Sequence, residues 1–142
     1  MAVERTLMLI KPDAVKKGVE GKIIAHVQEK GFKLLALKKL KLTKEQAKQF
    51  YIVHKDRPFY DELCEFMSSG PIVAMVWEGE NAISEIRKIM GATDPAKAEE
   101  GTLRKLYGTN VGENAVHGSD SKESAEIEIP FFFSKLEIIE MD

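Results

Sequence analysis

His117 is the residue whose surroundings in the sequence most suggest chemistry. It lies in the segment Asn114-Ala-Val-His117-Gly-Ser119-Asp120-Ser121, after two apolar residues and before a glycine. A strand that ends at a turn would aim this side chain into a cleft, and the glycine would let a ligand approach. The serines and the aspartate can each cap a following helix, whose N-terminus would attract an anion. From these residues alone, a surface histidine beside a capped helix stays open as the alternative.

Three cationic residues lie where ligand-binding groups are commonly found, at the ends of predicted elements or in a loop. Lys11 follows the first predicted strand, Arg87 is on a predicted helix, and Arg104 is in a long loop. A guanidinium group can donate two parallel hydrogen bonds to the oxygens of one phosphate, and an ammonium group supplies a point charge. Taken singly, each could also be a solvated surface charge. Nucleotide-binding loops of the Gly-x-x-x-x-Gly-Lys-Ser/Thr or Gly-x-Gly-x-x-Gly kind are absent, as are the HEXXH and G-x-S-x-G motifs.

Alternating strands and helices must position these groups. The hydrophobic pattern predicts strands over residues 5–10, 32–42 and 72–77, with a short one at 115–117. It predicts helices over residues 20–30, from the Thr43 capping box, from Pro58 to 67, over 80–90 and over 121–129. The run 72–77 is apolar on both faces and is placed at the centre of the sheet. This order favours an α+β ferredoxin-like sandwich, a four-stranded antiparallel sheet covered by helices.

Composition limits the classes of protein that this chain can represent. Its 142 residues suit one domain spanning 1–142, and a net charge of −2 argues against nucleic acid as the main partner. The single cysteine, Cys64, cannot form an internal disulfide and fits a reducing compartment. No apolar run is long enough to span a membrane, and the first residues do not resemble a signal peptide. We therefore expect a cytoplasmic protein without a membrane partner.

Several segments together resemble the nucleoside diphosphate kinase family. The segment around His117 is similar to the family's active-site signature, and 4–15, 51–59, 69–79, 93–96, 101–104 and 124–129 match in the same order. The resemblance covers residues 4 to 133. It implies an enzyme that moves the terminal phosphate of a nucleoside triphosphate, typically ATP, to a nucleoside diphosphate. It also implies a ping-pong reaction through a phosphohistidine.

The same resemblance implies roles for individual residues. His117 would be the nucleophile, Glu128 the acid bound to its other ring nitrogen, Ser119 the hydroxyl supporting that pair, and Tyr51 a hydroxyl nearby. A histidine is mostly neutral at pH 7 and then has a free nucleophilic nitrogen. The implied nucleotide-binding residues fall into groups: Arg87, Thr93 and Arg104 for the β- and γ-phosphates, Lys11 and Asn114 for the sugar, His54 for the α-phosphate, and Phe59, Leu63 and Val111 for the base. Lys11 would also lie near the phosphates and take part in catalysis. Mg²⁺ would arrive with the nucleotide, with no direct protein ligand and with Asp120 holding it through water.

Departures from the family pattern bear on assembly. Many members read Pro-Gly-Thr-Ile-Arg where this chain has Glu100-Gly-Thr-Leu-Arg104. The arginine is kept, and the difference bears on how its loop packs against neighbouring subunits. The short C-terminal tail is similar to that of bacterial members, several of which are tetramers. We therefore expect a homo-oligomer, a tetramer in preference to a hexamer. Apolar residues at 131–133 and 138–139 must pack in the core or against another subunit.

Two other functions remain open at this point. A regulatory protein could bind nucleotides on the same fold without turnover, although the retained His117 and cations favour an enzyme. A role in nucleic-acid binding lacks the expected basic stripe with interleaved aromatic residues.

Overall fold

The computed structural model describes residues 2–141 and contains one four-stranded antiparallel sheet. Its strands are β1 (Val3–Ile10), β2 (Lys33–Leu40), β3 (Ile72–Glu80) and β4 (Val116–Gly118), in the spatial order β2-β3-β1-β4. The α-helices are α1 (Pro12–Lys16), α2 (Glu20–Glu29), α3 (Lys44–Phe50), α4 (Tyr60–Met67), α5 (Ala82–Met90), α6 (Leu103–Tyr107) and α7 (Lys122–Phe132). Short 3₁₀ turns lie at Ile52–His54, Pro95–Lys97 and Lys135–Glu137. This confirms the predicted ferredoxin-like α+β fold and the central position of 72–77.

Helices cover both faces of the sheet. Because successive side chains of a strand point to opposite faces, Leu7 and Leu9 of β1 enter one hydrophobic cluster while Met8 and Ile10 enter the other. Buried residues of α3, α4 and α7 complete the first cluster, and those of α2 and α5 complete the second. A strand covered on both faces is apolar throughout, which explains the uninterrupted run in β3.

A β-bulge changes the face to which the second strand points. Leu34 pairs with Trp77 and Ala36 with Val76, so Leu35 is an extra residue on β2. Before the bulge, Leu34 packs against the cluster that contains Trp77. After it, Ala36 and Leu40 belong to the opposite cluster. The simple alternation expected for residues 32–42 is therefore interrupted, and the strand is shorter than predicted.

Three predicted helix boundaries were wrong. Pro58 lies before α4, which begins at Tyr60 after a turn, and Glu80 belongs to β3 rather than to α5. The last helix does not end at Ile129 but continues through Pro130 to Phe132. It continues because Phe132 and Phe133 are buried in the core, which outweighs the missing proline N–H. The Thr43 capping box is confirmed.

The C-terminal apolar residues divide between the core and the surface. Phe132 and Phe133 are buried, Phe131 packs partly exposed against Phe50, and Ile139 is 60% exposed. The Ile139 N–H donates to the Leu35 carbonyl, so this segment runs beside β2. Within residues 2–141, no helix is both long and apolar enough to cross a membrane.

Candidate active site

The edge strand β4 presents His117 to a carboxylate on α7. The His117 Nε2 and the Glu128 Oε1 are 2.9 Å apart, and both side chains are largely buried. The Ser119 Oγ donates to the same Oε1 at 3.0 Å, while the Ser119 N–H is anchored on the Leu7 carbonyl of β1. A carboxylate accepts, so Nε2 carries the proton. The ring is thereby held in the tautomer whose Nδ1 has the free lone pair.

Aromatic rings enclose the imidazole on one side. The Phe50 and Tyr51 rings lie 5.5 Å and 6.1 Å from the His117 ring, both edge-on. The Tyr51 hydroxyl is buried and has no hydrogen-bond partner within residues 2–141. Burial, and to a smaller extent the charge of Glu128, raises the pKa of Tyr51 well above its usual range. The hydroxyl therefore keeps its proton and can donate it to a bound anion.

Two arginines bind the backbone on either side of His117. The Arg104 guanidinium donates to the Val116 carbonyl at 2.9 Å and to the Gly91 carbonyl at 3.1 Å, and Arg87 donates to the Gly118 carbonyl at 3.0 Å. Burial, and then the charge of Arg87, lowers the pKa of Arg104 to about 10. In the described part of the chain neither arginine pairs with a carboxylate. Their positive charge is therefore available to a phosphate beside His117.

Lys11 is a third cation of this site, and it is buried, as Arg104 is. Its Nζ donates to Asn114 Oδ1 at 2.8 Å, and the Asn114 amide donates in turn to the Thr93 carbonyl at 3.0 Å. The Lys11 pKa is lowered to about 8 by burial and then by the charge of Arg104, while Asp13 acts in the opposite sense. The network joins α1, the loop after α5 and the segment before β4. Thr93 itself is exposed.

The predicted base-binding residues lie at the start of α4 and on the loop before β4. Phe59 is 46% exposed, and its ring lies 5.6 Å from that of His54, which stacks at 6.3 Å on Tyr51. Through these rings Phe59 is linked to the surroundings of His117. Leu63 packs beneath against the core, and Val111 is 55% exposed at the tip of its loop. That Phe59 and Val111 enclose a base between them stays a prediction.

Asp120 was predicted to meet a metal ion only through water. It is exposed just before α7, and its Oδ1 accepts a hydrogen bond from Ser124 at 2.6 Å. This bond is the main cause of its lowered pKa, to which the charge of Arg87 also contributes. In residues 2–141 no group of three or more His, Cys, Asp or Glu side chains could hold a metal ion. One ionised, exposed carboxylate does suit Mg²⁺, which keeps most of its water and binds substrate phosphates.

Sequence reasoning missed two residues of this site. Phe50 contacts the His117 ring and was assigned only to a helix face. Asp13 is buried, and its carboxylate binds the backbone N–H of Ala115, two residues before His117. The available signal was an acidic residue placed directly after Lys11-Pro12 at the end of an apolar strand. From the sequence, Asp13 was covered only by the segment 4–15 that resembles the family, and it received no role.

An imidazole beside three cations, of which Lys11 and Arg104 are buried, suits a phosphotransferase, because phosphoryl transfer depends on positioning and on charge stabilisation. Comparison with known proteins agrees. The sequence model of the family described as nucleoside diphosphate kinase matches residues 4–138. The nucleoside diphosphate kinase of Persephonella marina is 87% identical over 140 residues, covering 99% of this chain and all of that protein. That of Geobacter sp. (strain M21) is 56% identical over 137 residues, covering 96% of this chain and all of that one.

Solved structures of nucleoside diphosphate kinases also superpose closely on this chain. The Aquifex aeolicus nucleoside diphosphate kinase, in an orthorhombic crystal form, superposes with a TM-score of 0.96 at 52% identity, covering 97% of this chain and all of that one. The Halobacterium salinarum enzyme in complex with CDP superposes with a TM-score of 0.95 at 41% identity, covering 99% of this chain and 94% of that one. This chain belongs to the nucleoside diphosphate kinase family. It is a kinase that transfers the terminal phosphate of a nucleoside triphosphate to a nucleoside diphosphate.

Proposed function

We propose that this chain transfers phosphate through a covalent phosphohistidine formed at the Nδ1 atom of His117. The observation that carries the proposal is the 2.9 Å contact between Nε2 and Glu128, which occupies one ring nitrogen and leaves the other free. In the first half-reaction, Nδ1 attacks the γ-phosphorus of the triphosphate. The bond between that phosphorus and the β–γ bridging oxygen breaks, and the diphosphate leaves with the bond's electrons.

In the second half-reaction, a terminal oxygen of another nucleoside diphosphate attacks the phosphorus on His117. The N–P bond then breaks, its electron pair returns to Nδ1, and a new triphosphate leaves. Glu128 accepts a hydrogen bond from Nε2–H, so the proton stays on Nε2. The negative charge of Glu128 balances the positive charge that the ring gains while it is phosphorylated. Ser119 holds that carboxylate in place through its 3.0 Å bond.

The cations are proposed to stabilise the phosphates in both half-reactions. Arg87 and Arg104, with Thr93, would bind the β- and γ-phosphates, and the Tyr51 hydroxyl would donate to the transferred group. Lys11 and Asn114, already joined at 2.8 Å, would bind the sugar hydroxyls, with Lys11 also facing the phosphate. His54 is the proposed contact of the α-phosphate. Removing one such donor from a preorganised site typically costs about 3–4 kcal/mol in the transition state.

The base is proposed to stack on Phe59, with Leu63 and Val111 completing an apolar slot. The related Halobacterium protein is described in complex with CDP, a pyrimidine nucleotide. We further propose that Mg²⁺ is the divalent cation, held by the nucleotide and reached by Asp120 through water. When bound, it neutralises charge on the β- and γ-phosphates.

Substitution of His117 tests the proposed nucleophile directly. His117→Ala should abolish phosphate exchange between nucleotides, while the dissociation constant for ADP stays within a few-fold of the original. His26→Ala is the matched control, because His26 lies on α2 and none of the contacts described above involves it. Undiminished exchange by His117→Ala would refute the proposal. Nucleotide binding without exchange by the unsubstituted chain would identify a regulatory protein instead.

Self-association is the last part of the proposal. Leu37, Leu136 and Ile139 are 47%, 92% and 60% exposed, and Leu37 lies on the edge strand β2. Exposed apolar residues of this kind support a homo-oligomer, and we propose a tetramer rather than a hexamer. Sedimentation equilibrium distinguishes these states from each other and from a monomer. The compartment proposed is the cytoplasm, in keeping with one free thiol at Cys64.

A further inference from the structure

Asp13 is a buried carboxylate to which the mechanism above gives no role. It lies at the start of α1, directly after Lys11-Pro12, and is only 7% exposed. Its Oδ2 accepts the backbone N–H of Ala115 at 3.1 Å. Its Oδ1 is also buried and has no hydrogen-bond partner in the described range 2–141. An acidic side chain is rarely buried in this way unless a charge or a hydrogen bond compensates it.

The residue that Asp13 contacts has a strained backbone. Ala115 is fully buried and has a φ of 73°, in the region that favours glycine. The Val116 N–H donates to the Asn114 carbonyl at 2.9 Å, which closes a γ-turn with Ala115 at its centre. The form of this turn with positive φ is rare and strained. Such a backbone persists only where surrounding contacts hold it.

Both sides of Ala115 are held by the segment that follows β1. The Lys11 N–H donates to the Ala115 carbonyl at 2.8 Å, and Asp13 accepts from the Ala115 N–H. The first residue of the turn, Asn114, binds the Lys11 Nζ, and the residue directly after the turn is His117. The backbone conformation of this turn therefore sets the orientation of the Asn114 and His117 side chains.

We propose that Asp13 is a positioning residue that clamps the γ-turn at Ala115 and so aims Asn114 and the His117 imidazole at the nucleotide. This inference rests on the proposed role of His117. Asp13 forms no hydrogen bond to the imidazole or to the proposed nucleotide contacts within residues 2–141; it binds the backbone of Ala115, and its charge partly offsets the lowering of the Lys11 pKa by burial. The competing explanation is that Asp13 merely stabilises α1 as an acidic residue in its first turn.

Three variants separate these explanations. Asp13→Asn keeps an oxygen that can accept the Ala115 N–H. Asp13→Ser is too short to reach that N–H but still suits the first turn of a helix. Ala115→Gly removes the strain of the positive φ, because glycine adopts this backbone freely. Each variant is incubated with ATP without acceptor, and the rate constant for phosphorylation is measured on the folded fraction, together with the dissociation constant for ADP and the Tm.

The clamp predicts a specific pattern of rates. Asp13→Ser should phosphorylate about 10- to 100-fold more slowly than the original chain, because a misplacement of about 1 Å at the reacting group can cost about 100-fold in rate. Asp13→Asn should stay within a few-fold of the original rate, and Ala115→Gly combined with Asp13→Ser should recover much of the loss. Equal rates for Asp13→Ser and the original chain would overturn the inference, as would an Asp13→Asn variant impaired as severely as Asp13→Ser.

The proposed function has its own outcome in the same experiment. If the original chain takes up no phosphate, or if His117→Ala takes up as much, the phosphohistidine is wrong. If the original chain is phosphorylated on His117 and Asp13→Ser matches it, only the clamp is wrong. A lowered Tm in Asp13→Ser with an unchanged rate constant would assign Asp13 to the stability of α1 alone.

Discussion

At the residue scale, Lys11 links the chemistry of the site to pH. Burial and the neighbouring Arg104 lower its pKa from 10.5 to about 8. Below that pH Lys11 is charged and attracts phosphate, and above it the charge is lost. Because kcat/KM reports the free enzyme, it should fall as the pH rises through about 8. Bound phosphate favours the charged lysine, so kcat should fall only at higher pH.

The controls for this pH dependence are two lysine variants. Lys11→Met should be less active and should lack the fall near pH 8, whereas Lys16→Met, an exposed residue of α1, should keep it. A fall near pH 8 that persists in Lys11→Met would mean that another group causes the fall.

The lowered pKa of Lys11 also affects the stability of the fold. Between about pH 8 and the unfolded lysine pKa of about 10.4, the unfolded chain binds more protons, so the Lys11 contribution to the free energy of unfolding rises with pH.

The candidate residues and the contacts among His117, Glu128 and Ser119 were predicted through the family resemblance, but the other contacts of the site were not. The segment around His117 marked this residue as a candidate for chemistry, and the resemblance to a family implied that it is the nucleophile and that Glu128 is its partner. Which ring nitrogen is free depends on α7 reaching back across β4, a tertiary contact between residues eleven positions apart. Asp13 was missed for the same reason, because its partner Ala115 is 102 positions away.

At the element scale, Gly91 ends α5, and its carbonyl holds the Arg104 side chain in place. Its φ of 88° and ψ of −178° belong to a region that only glycine adopts readily, and a Cβ there would lie 2.5 Å from the Thr102 Oγ1. Gly91→Ala should therefore lower the free energy of unfolding by about 1–3 kcal/mol. It should also reduce kcat, because the Gly91 carbonyl anchors Arg104.

Chemical denaturation and steady-state kinetics test this expectation together. Gly21→Ala is the matched control, since Gly21 lies in α2 and an added Cβ would meet nothing within 4 Å. That variant should be neutral or more stable, by about 0.5–1 kcal/mol, with unchanged kcat. A Gly91→Ala enzyme as stable and as active as the original would contradict the role given to this turn.

Local signals located the elements but not all of their ends. Thr43 marks a helix start by local chemistry, and the predicted end of the fifth helix at residue 90 agrees with Gly91 as its C-cap. The end of α7 depends instead on the burial of Phe132 and Phe133, and the bulge at Leu35 depends on pairing with β3. Propensity and periodicity contain no information on such long-range packing, so these boundaries were wrong.

At the scale of the whole molecule, the residues proposed to hold the base determine which nucleotides should be accepted. Phe59, Leu63 and Val111 are apolar, so recognition should depend on the sugar and phosphates. Stacking contributes about 1–3 kcal/mol per base and tolerates any base. We expect kcat/KM for ATP, GTP, CTP and UTP to agree within about two orders of magnitude, with purines favoured because they stack over a larger area.

The aromatic platform can be varied to test this. Phe59→Ala should lower kcat/KM for all four triphosphates and reduce the advantage of purines. Phe59→Trp keeps an aromatic ring and should preserve the purine advantage. Steady-state kinetics with the four triphosphates measures both effects. A strict preference for one base that survives Phe59→Ala would mean that a polar group outside these three residues, in this chain or in another subunit, reads the base.

The net charge of −2 gave no hint of the positive site, because the total hides where the charges gather. Folding brings Lys11, Arg87 and Arg104 from three separate segments to the surroundings of His117. Their common location was predicted only through the family resemblance. Assembly is a further property of the whole molecule that composition leaves open.

The most direct test of the phosphohistidine is the intact mass of the chain after incubation with ATP in the absence of an acceptor. We predict that it gains one phosphate, that peptide mapping locates this group on His117, and that it is labile in acid and stable in base. Adding ADP or GDP should remove the phosphate and form the corresponding triphosphate. An acid-stable phosphate on Ser119 or Ser121, or turnover without any phosphorylated chain, would contradict the account.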